Sequence, residues 1–247
     1  MNEILKDLFM AGVKWELSEN SVAFTELVAR ASATPMRVRT TATVVPPISP
    51  VLPVSVETAT DMATRPTTVS ALYRMIGEFN HPLRAGASNV VLPHCAPNSN
   101  GVMIITDIPS IDDDASGRIM SGAIGEMLDK MLTAIGLSRD SVSICPLLFW
   151  RTPGGRTPSR PELDLARPFV DRFIELTEPR IIITLGTIAA AEIANANLMH
   201  AHGVPVDLPN GVRVFPIYHP NYMILKPASK REVWTVLQNV QNLLKNV

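Results

Sequence analysis

The chain has 247 residues, 46% of them hydrophobic and 18% charged, with a formal net charge of −1. That is enough apolar material for one folded domain plus an extension, and the near-neutral balance supplies no whole-protein attraction to nucleic acid, so any such contact must come from a local basic patch. Two cysteines, Cys95 and Cys145, exclude a disulfide framework and a four-thiolate metal site and fit a reduced, cytoplasmic protein. The N-terminus mixes charges through its apolar positions, unlike a signal peptide, and no run of about eighteen apolar residues suggests a membrane span.

In chain order, residues 1–33 read as a helical segment, with Ile4, Leu5, Leu8, Phe9, Val13 and Leu17 at amphipathic spacing; such a face needs a surface or a protein partner to dock on. Residues 34–68 are rich in Pro, Thr and Val, with Pro35, Pro46, Pro47, Pro50, Pro53 and Pro66 breaking regular structure, and read as an extended, disordered linker. The domain proper is placed at 69–247. A helix is predicted near 69–78 and a strand at 102–105. The next helix carries the core-facing stripe Ile124, Met127, Leu128, Met131, Leu132 and Ile135. A strand at 142–148, a Gly/Pro/Arg loop to Arg160 and a helix over 161–176 follow. The order closes with strand 180–184, helix 187–196, strand 212–217 and helix 229–244. Strands alternating with helices predict an α/β fold, a three-layer α/β/α sandwich around a mostly parallel four-stranded sheet. Chemistry in such sheets gathers beyond the carboxyl ends of the strands. No GxGxxG or Walker loop marks a nucleotide-binding module.

Four segments stand at those strand ends. The first is Ile105-Thr106-Asp107-Ile108-Pro109-Ser110, followed by the acidic run 112–114 and Gly117. The second is RTPGGRTP at 151–158. The third is Ile183-Thr184-Leu185-Gly186 after Pro179, and the fourth is His219-Pro220-Asn221. In this order and spacing they resemble the bacterial uracil-DNA glycosylases of family four, the iron–sulfur group, over about residues 79–240. The resemblance implies a uracil-DNA-glycosylase-like fold, a monomer, damaged DNA as partner, and hydrolysis of the bond between uracil or a related base and deoxyribose. A relative that binds DNA or a partner protein without cleaving it is the alternative.

By the same resemblance, Asp107 is the carboxylate that orients water and stabilises the sugar cation, and Thr106, Ile108, Pro109 and Ser110 bring the backbone around it to the base. Taken alone, Asp107 reads first as a helix or turn cap, the common use of an aspartate at such a place. His219 is implied to support the departing base anion with a ring N–H, against the plainer reading of a satisfied polar histidine. Asn221 follows it in the pocket. Met223, Ile224 and Leu225 match the segment that wedges into a duplex when a base is flipped, or else form the first turn of a buried helix. Arg151, Arg156 and Arg160 form a basic loop able to hold phosphates or to pair with Glu162 and Asp164, and Lys226, Lys230 and Arg231 add charge on the other side.

Two departures from the family pattern stand out. Its cluster cysteines fall on Trp150, on Ala166 and near His81-Pro82, none of which can ligate iron as a thiolate does, so no iron–sulfur cluster, metal or other cofactor is expected and Trp150 is expected to fill the volume by packing. The asparagine that reads the uracil edge falls on Pro146, and the phenylalanine that stacks on the base falls near Met120. Uracil selectivity should suffer more than general contact with nucleic acid.

Overall fold

A computed structural model describes residues 54–245. The N-terminal helical segment and the part of the expected linker before residue 54 lie outside the described residues. From there on the linker reading is corrected. Val56–Thr64 is a helix, α1, whose first turn is capped by Ser55 accepting from the Thr58 amide. Its Ala59 and Ala63 are buried, and Arg172 donates to the Pro66 carbonyl at 2.7 Å, tying the segment to the domain. The described residues before 69 thus belong to the same compact unit as the rest of the domain. Threonines around small alanines conceal the helix from a reading of hydropathy, because the buried face consists of methyl groups.

Val69–Glu78 forms α2, with Thr68 as its N-cap. The sheet then begins with β1, Val102–Thr106, followed by α3 (Ile111–Ser116), α4 (Gly122–Ala134) and β2 (Val142–Pro146). Next come α5 (Arg160–Thr177), β3 (Ile181–Leu185), α6 (Thr187–Ala194), α7 (Leu198–Ala201), β4 (Val206–Asp207), β5 (Arg213–Ile217), α8 (Pro220–Leu225) and α9 (Lys230–Lys245). The strand order is β2-β1-β3-β5-β4. The four expected strands pair in parallel, and the two-residue β4 adds an antiparallel edge, making five strands rather than four. A piece that short has no periodicity to read.

The parallel strands are buried along almost their whole length, as continuous runs such as Ile181-Ile182-Ile183 require when both faces are covered. One face packs Met103, Ile105, Cys145, Ile182 and Val214 against α1, α2, α5 and α6. The other packs Ile104, Ile144, Ile183, Phe215 and Ile217 against α4, α9 and Met223 of α8. Among the described residues no helix is long and apolar enough to cross a membrane.

Candidate active site

The carboxyl ends of β1, β3 and β5 bring Thr106-Asp107, Gly186 and His219 to one rim of the sheet, with Thr106 in register with Leu185 and Leu185 with Ile217. Asp107 follows the last residue of β1 and turns towards α6. Its Oδ1 accepts from the Ala189 amide at 2.6 Å. The helix has no side-chain cap of its own at Gly186, so Asp107 caps it from across the sheet, its negative charge placed at the positive end of the helix dipole. Gly186 makes this approach possible. A Cβ there would lie 2.1 Å from Asp107 Oδ2, and its φ of +107° is a left-handed conformation open to glycine. Burial nevertheless outweighs these amide hydrogen bonds and raises the carboxyl pKa to about 6.

His219 follows β5 and caps α8. Its Nδ1 accepts from the Asn221 amide at 3.2 Å, and its Nε2 lies 3.2 Å from Thr106 Oγ1. A nitrogen that accepts from an amide carries no proton, so the neutral ring holds its hydrogen on Nε2 and donates it to the threonine. Burial pushes the imidazole pKa down to about 4. The same rim thus carries a neutral ring whose N–H is aimed at Thr106, at the end of β1, and, on Asp107, a carboxylate that is mostly ionised at pH 7. The Thr106 side chain is buried on the α4 side of the sheet.

The loop after Asp107 is fixed by its own acids. Ile108 packs against the first core and Pro109 is buried. Ser110 caps α3, its hydroxyl accepting from the Asp113 amide, while Asp113 accepts from the Ser110 amide at 2.9 Å and from the Ser121 amide at 2.6 Å. Asp114 accepts from the Ser88 amide at 2.9 Å. The acidic run is therefore largely consumed in closing the loop. Met120 is buried with φ +54°, a left-handed conformation for a residue with a side chain. Arg139 holds it there, donating to the Ile119 carbonyl at 3.1 Å and to the Met120 carbonyl at 2.6 Å while pairing with Asp129. Pro146 ends β2 opposite Thr106, and the Leu147 amide after it donates to the Thr106 carbonyl at 3.0 Å.

The three arginines separate. Arg156 forms a two-pronged pair with Glu162, at 2.9 and 2.5 Å, which lowers the Glu162 pKa to about 2. Arg160 reaches Asp164 at 2.8 Å and Glu192 at 2.5 Å. Both are engaged within the chain, as the plainer reading allowed for Glu162 and Asp164. Arg151 lies beside Gly155 and takes part in no ion pair among the described residues. The wedge expectation is corrected for Met223, which is 1% exposed and packed under the sheet; the helical period that exposes Leu225 buries the residue two positions earlier. Ile224 and Leu225 face solvent, as do Asn221 and Lys226.

The positions matching the family's cluster cysteines converge as well, but on rings. Trp150 is fully buried and stacks on His81 with centroids 4.8 Å apart and planes 10° from parallel, with Phe149 edge-on at 5.8 Å. Phe79 and Phe169 close the group at 4.9 Å, and Ala166 is buried in the same core. His81 is itself satisfied, by the Leu83 amide and the Glu162 carbonyl. The Trp150 indole N–H finds no acceptor among the described residues, so the ring is held by packing alone. Cys145 is buried in β2, where desolvation raises its thiol pKa far above the usual range. Among the described residues no three His, Cys, Asp or Glu side chains group as a metal site. These residues do not fit a thiolate-held iron–sulfur cluster.

Gly186, Arg139 and the Tyr218 stack described below were not singled out by sequence reading. Gly186 was visible as the end of its motif, but the need for a glycine there arises only from Asp107 crossing the sheet. Arg139 carried no signal, being one arginine in a polar turn.

Comparison with known proteins matches residues 92–239 to the Uracil DNA glycosylase superfamily. The chain is 28% identical over 169 residues to the type-4 uracil-DNA glycosylase of Thermotoga maritima, covering 66% of this chain and 88% of that protein. It is 32% identical over 147 residues to the type-4 enzyme of Pyrobaculum aerophilum, covering 53% and 72%. Against that of Archaeoglobus fulgidus it is 29% identical over 140 residues, covering 53% and 70%.

Proposed function

Because the chain belongs to the uracil DNA glycosylase superfamily, we propose that it hydrolyses the N-glycosidic bond of uracil, or of a related damaged base, in DNA. The observation that carries this reading is that the rim formed by β1, β3 and β5 carries both a desolvated carboxylate, Asp107, and a neutral imidazole, His219, whose Nε2 lies 3.2 Å from Thr106 Oγ1. As the bond lengthens, positive charge grows on the sugar and negative charge on the base. The Asp107 anion stabilises the first and accepts a hydrogen bond from the attacking water. The His219 N–H leaves the Thr106 hydroxyl for the base oxygen and stabilises the second. Neutrality of the ring matters, because its N–H donates without first requiring protonation. On this reading Arg151 and the solvent-facing Lys226 contact phosphates, and the exposed Leu225 fills the space left by a flipped base.

The reaction runs without an iron–sulfur cluster, the Trp150 and His81 stack supplying by packing what the cluster would supply by ligation. Metal analysis of protein produced with ample iron should find none in stoichiometric amount, and a brown chromophore would overturn this part. Base selectivity is weak on this reading, since Pro146 offers no amide to the base edge and Met120 no flat ring.

A second reading has its own support. Asp107 is already engaged as the cap of α6 and His219 as the cap of α8, so both residues serve the fold whether or not they turn over substrate, and a DNA-binding protein without catalysis would keep them. Single-turnover release of base from a uracil-containing oligonucleotide, with protein in large excess, separates the two. Wild-type release that drops in Asp107→Ala and His219→Ala supports the enzyme. Equal background in all three proteins sinks it, and binding without release leaves the second reading standing.

A further inference from the structure

Thr106 is a buried hydroxyl at a place where packing asks for none. It ends β1, whose other residues are Val, Met, Ile and Ile and which is buried along its whole length; Thr106 itself is 2% exposed. A valine of nearly the same shape would fill the site without the cost of taking a hydroxyl out of water. The hydroxyl has one hydrogen-bond partner among the described residues, His219 Nε2 at 3.2 Å. The two come from strands that are not neighbours. β3 lies between β1 and β5, so the imidazole reaches over the end of β3 to meet the threonine. His219 leans on few other groups. Tyr218, the residue before it, stacks on His202 with centroids 3.9 Å apart and planes 8° from parallel and meets Tyr222 at 4.8 Å, which steadies the backbone there. The Asn221 amide selects the tautomer by donating to Nδ1. The ring pKa is lowered by burial with no carboxylate contribution, so no acid orients this imidazole.

We propose that Thr106 is a positioning residue for the reaction, the fixed acceptor that aims the His219 N–H at the end of β1, the strand whose next residue is Asp107. Being buried, it acts through His219 and not on the base. Its side chain suits a fixed post. A β-branched residue has few rotamers, and this one sits in a strand paired on both sides, opposite Pro146 and Leu185. Its carbonyl is held by the Leu147 amide at 3.0 Å. The hydroxyl hydrogen has no other acceptor among the described residues, so the rotor is free to keep a lone pair towards Nε2 while the N–H turns to the base oxygen. The inference rests on the proposed hydrolysis and adds to it what the third member of a catalytic triad adds, a set direction for the ring. Because the same strand presents Thr106 to one face of the sheet and Asp107 to the other, the contact also ties the ring to the carboxylate through a single peptide unit.

The test compares wild type with Thr106→Val, which removes the hydroxyl and keeps the shape, and Thr106→Ser, which keeps the hydroxyl. Single-turnover release of uracil from a labelled oligonucleotide should fall about tenfold in Thr106→Val, of the order of one net hydrogen bond. Thr106→Ser should recover most of the rate. Binding to an oligonucleotide carrying a tetrahydrofuran abasic analogue, which is not cleaved, should be the same for all three. In protein labelled with nitrogen-15 histidine, the His219 ring is the one missing from spectra of His219→Ala. Its Nε2–H signal should be present in wild type and Thr106→Ser and lost to solvent exchange in Thr106→Val. A Thr106→Val protein that releases base at the wild-type rate, or whose His219 signal is unchanged, overturns the proposal. So does a loss of binding as large as the loss of rate, which would mark a merely structural role. Absence of base release by wild type itself is a different result: the proposed hydrolysis then fails, and the role of Thr106 in it falls too.

Discussion

Acidification offers the sharpest probe of the proposed chemistry. Asp107 titrates at about 6 because burial outweighs the hydrogen bonds from the start of α6, and only its anion can stabilise a sugar cation. Single-turnover base release should therefore be level above about pH 7 and fall about tenfold per pH unit below about 6, since the rate follows the ionised fraction. His219, at about 4, stays neutral through this range and adds no second limb. The assay is release of uracil from a labelled oligonucleotide at saturating protein and constant ionic strength, from about pH 5 to about pH 8. Asp107→Asn, which keeps the shape but not the charge, should give a low, flat profile. A wild-type rate unchanged down to about pH 5 would refute the reasoning, because the anion at work would then titrate near an ordinary aspartate. Stability should move the opposite way. A carboxyl pKa raised on folding means that the folded state holds the proton more tightly, so the contribution is greatest below about 3.8 and is lost as the pH rises through about 6. For a shift of about two units the loss is at most roughly 3 kcal/mol. Thermal melts of wild type should show this loss, and those of Asp107→Asn should not.

Gly186→Ala drives a methyl into the Asp107 carboxylate and strains a left-handed backbone, so base release should fall by at least the factor seen for Asp107→Asn, while circular dichroism still reports a folded sheet. Trp150→Ala empties the centre of the ring cluster; denaturant unfolding should show a loss of about 3–5 kcal/mol, typical of large aromatic truncations, and an unchanged midpoint would mean that the ring does not fill that space. Arg151→Ala should weaken DNA binding and flatten its salt dependence with little effect on melting. Arg156→Ala should do the reverse, because its partner Glu162 is bound within the chain; equal effects of the two on DNA affinity would contradict this division.

Much of the scaffold was legible because parallel strands buried on both faces read as unbroken apolar runs, and the stripe from Ile124 to Ile135 can belong only to a core-facing helix. The helix Val56–Thr64 was missed, since its buried face is alanine among threonines and prolines surround it. At the site, sequence could nominate Asp107, His219, Met120 and Pro146, yet it could not reveal what each is already holding. Whether an arginine meets a phosphate or Glu162, and whether Met223 faces DNA or the core, depends on groups far apart in the chain. The pairing of Trp150 with His81 was half visible: cysteine counting argued against a cluster, but stacking between residues on separate segments appears only in three dimensions.

The double employment of Asp107 and His219 bears on how this lineage can change. Each holds the first turn of a helix as well as facing the proposed substrate, so selection for a folded protein alone keeps both in place. Pro146 sits where the fold asks for buried bulk and Met120 where it asks for bulk in a left-handed turn, and neither demand calls for the amide or the ring that would read a base. Substitution should therefore accumulate first in the surface that reads the base and last in the pair that would cleave it. Descendants of such a protein would differ in what they recognise long before they differ in the residues usually taken as the mark of an active enzyme.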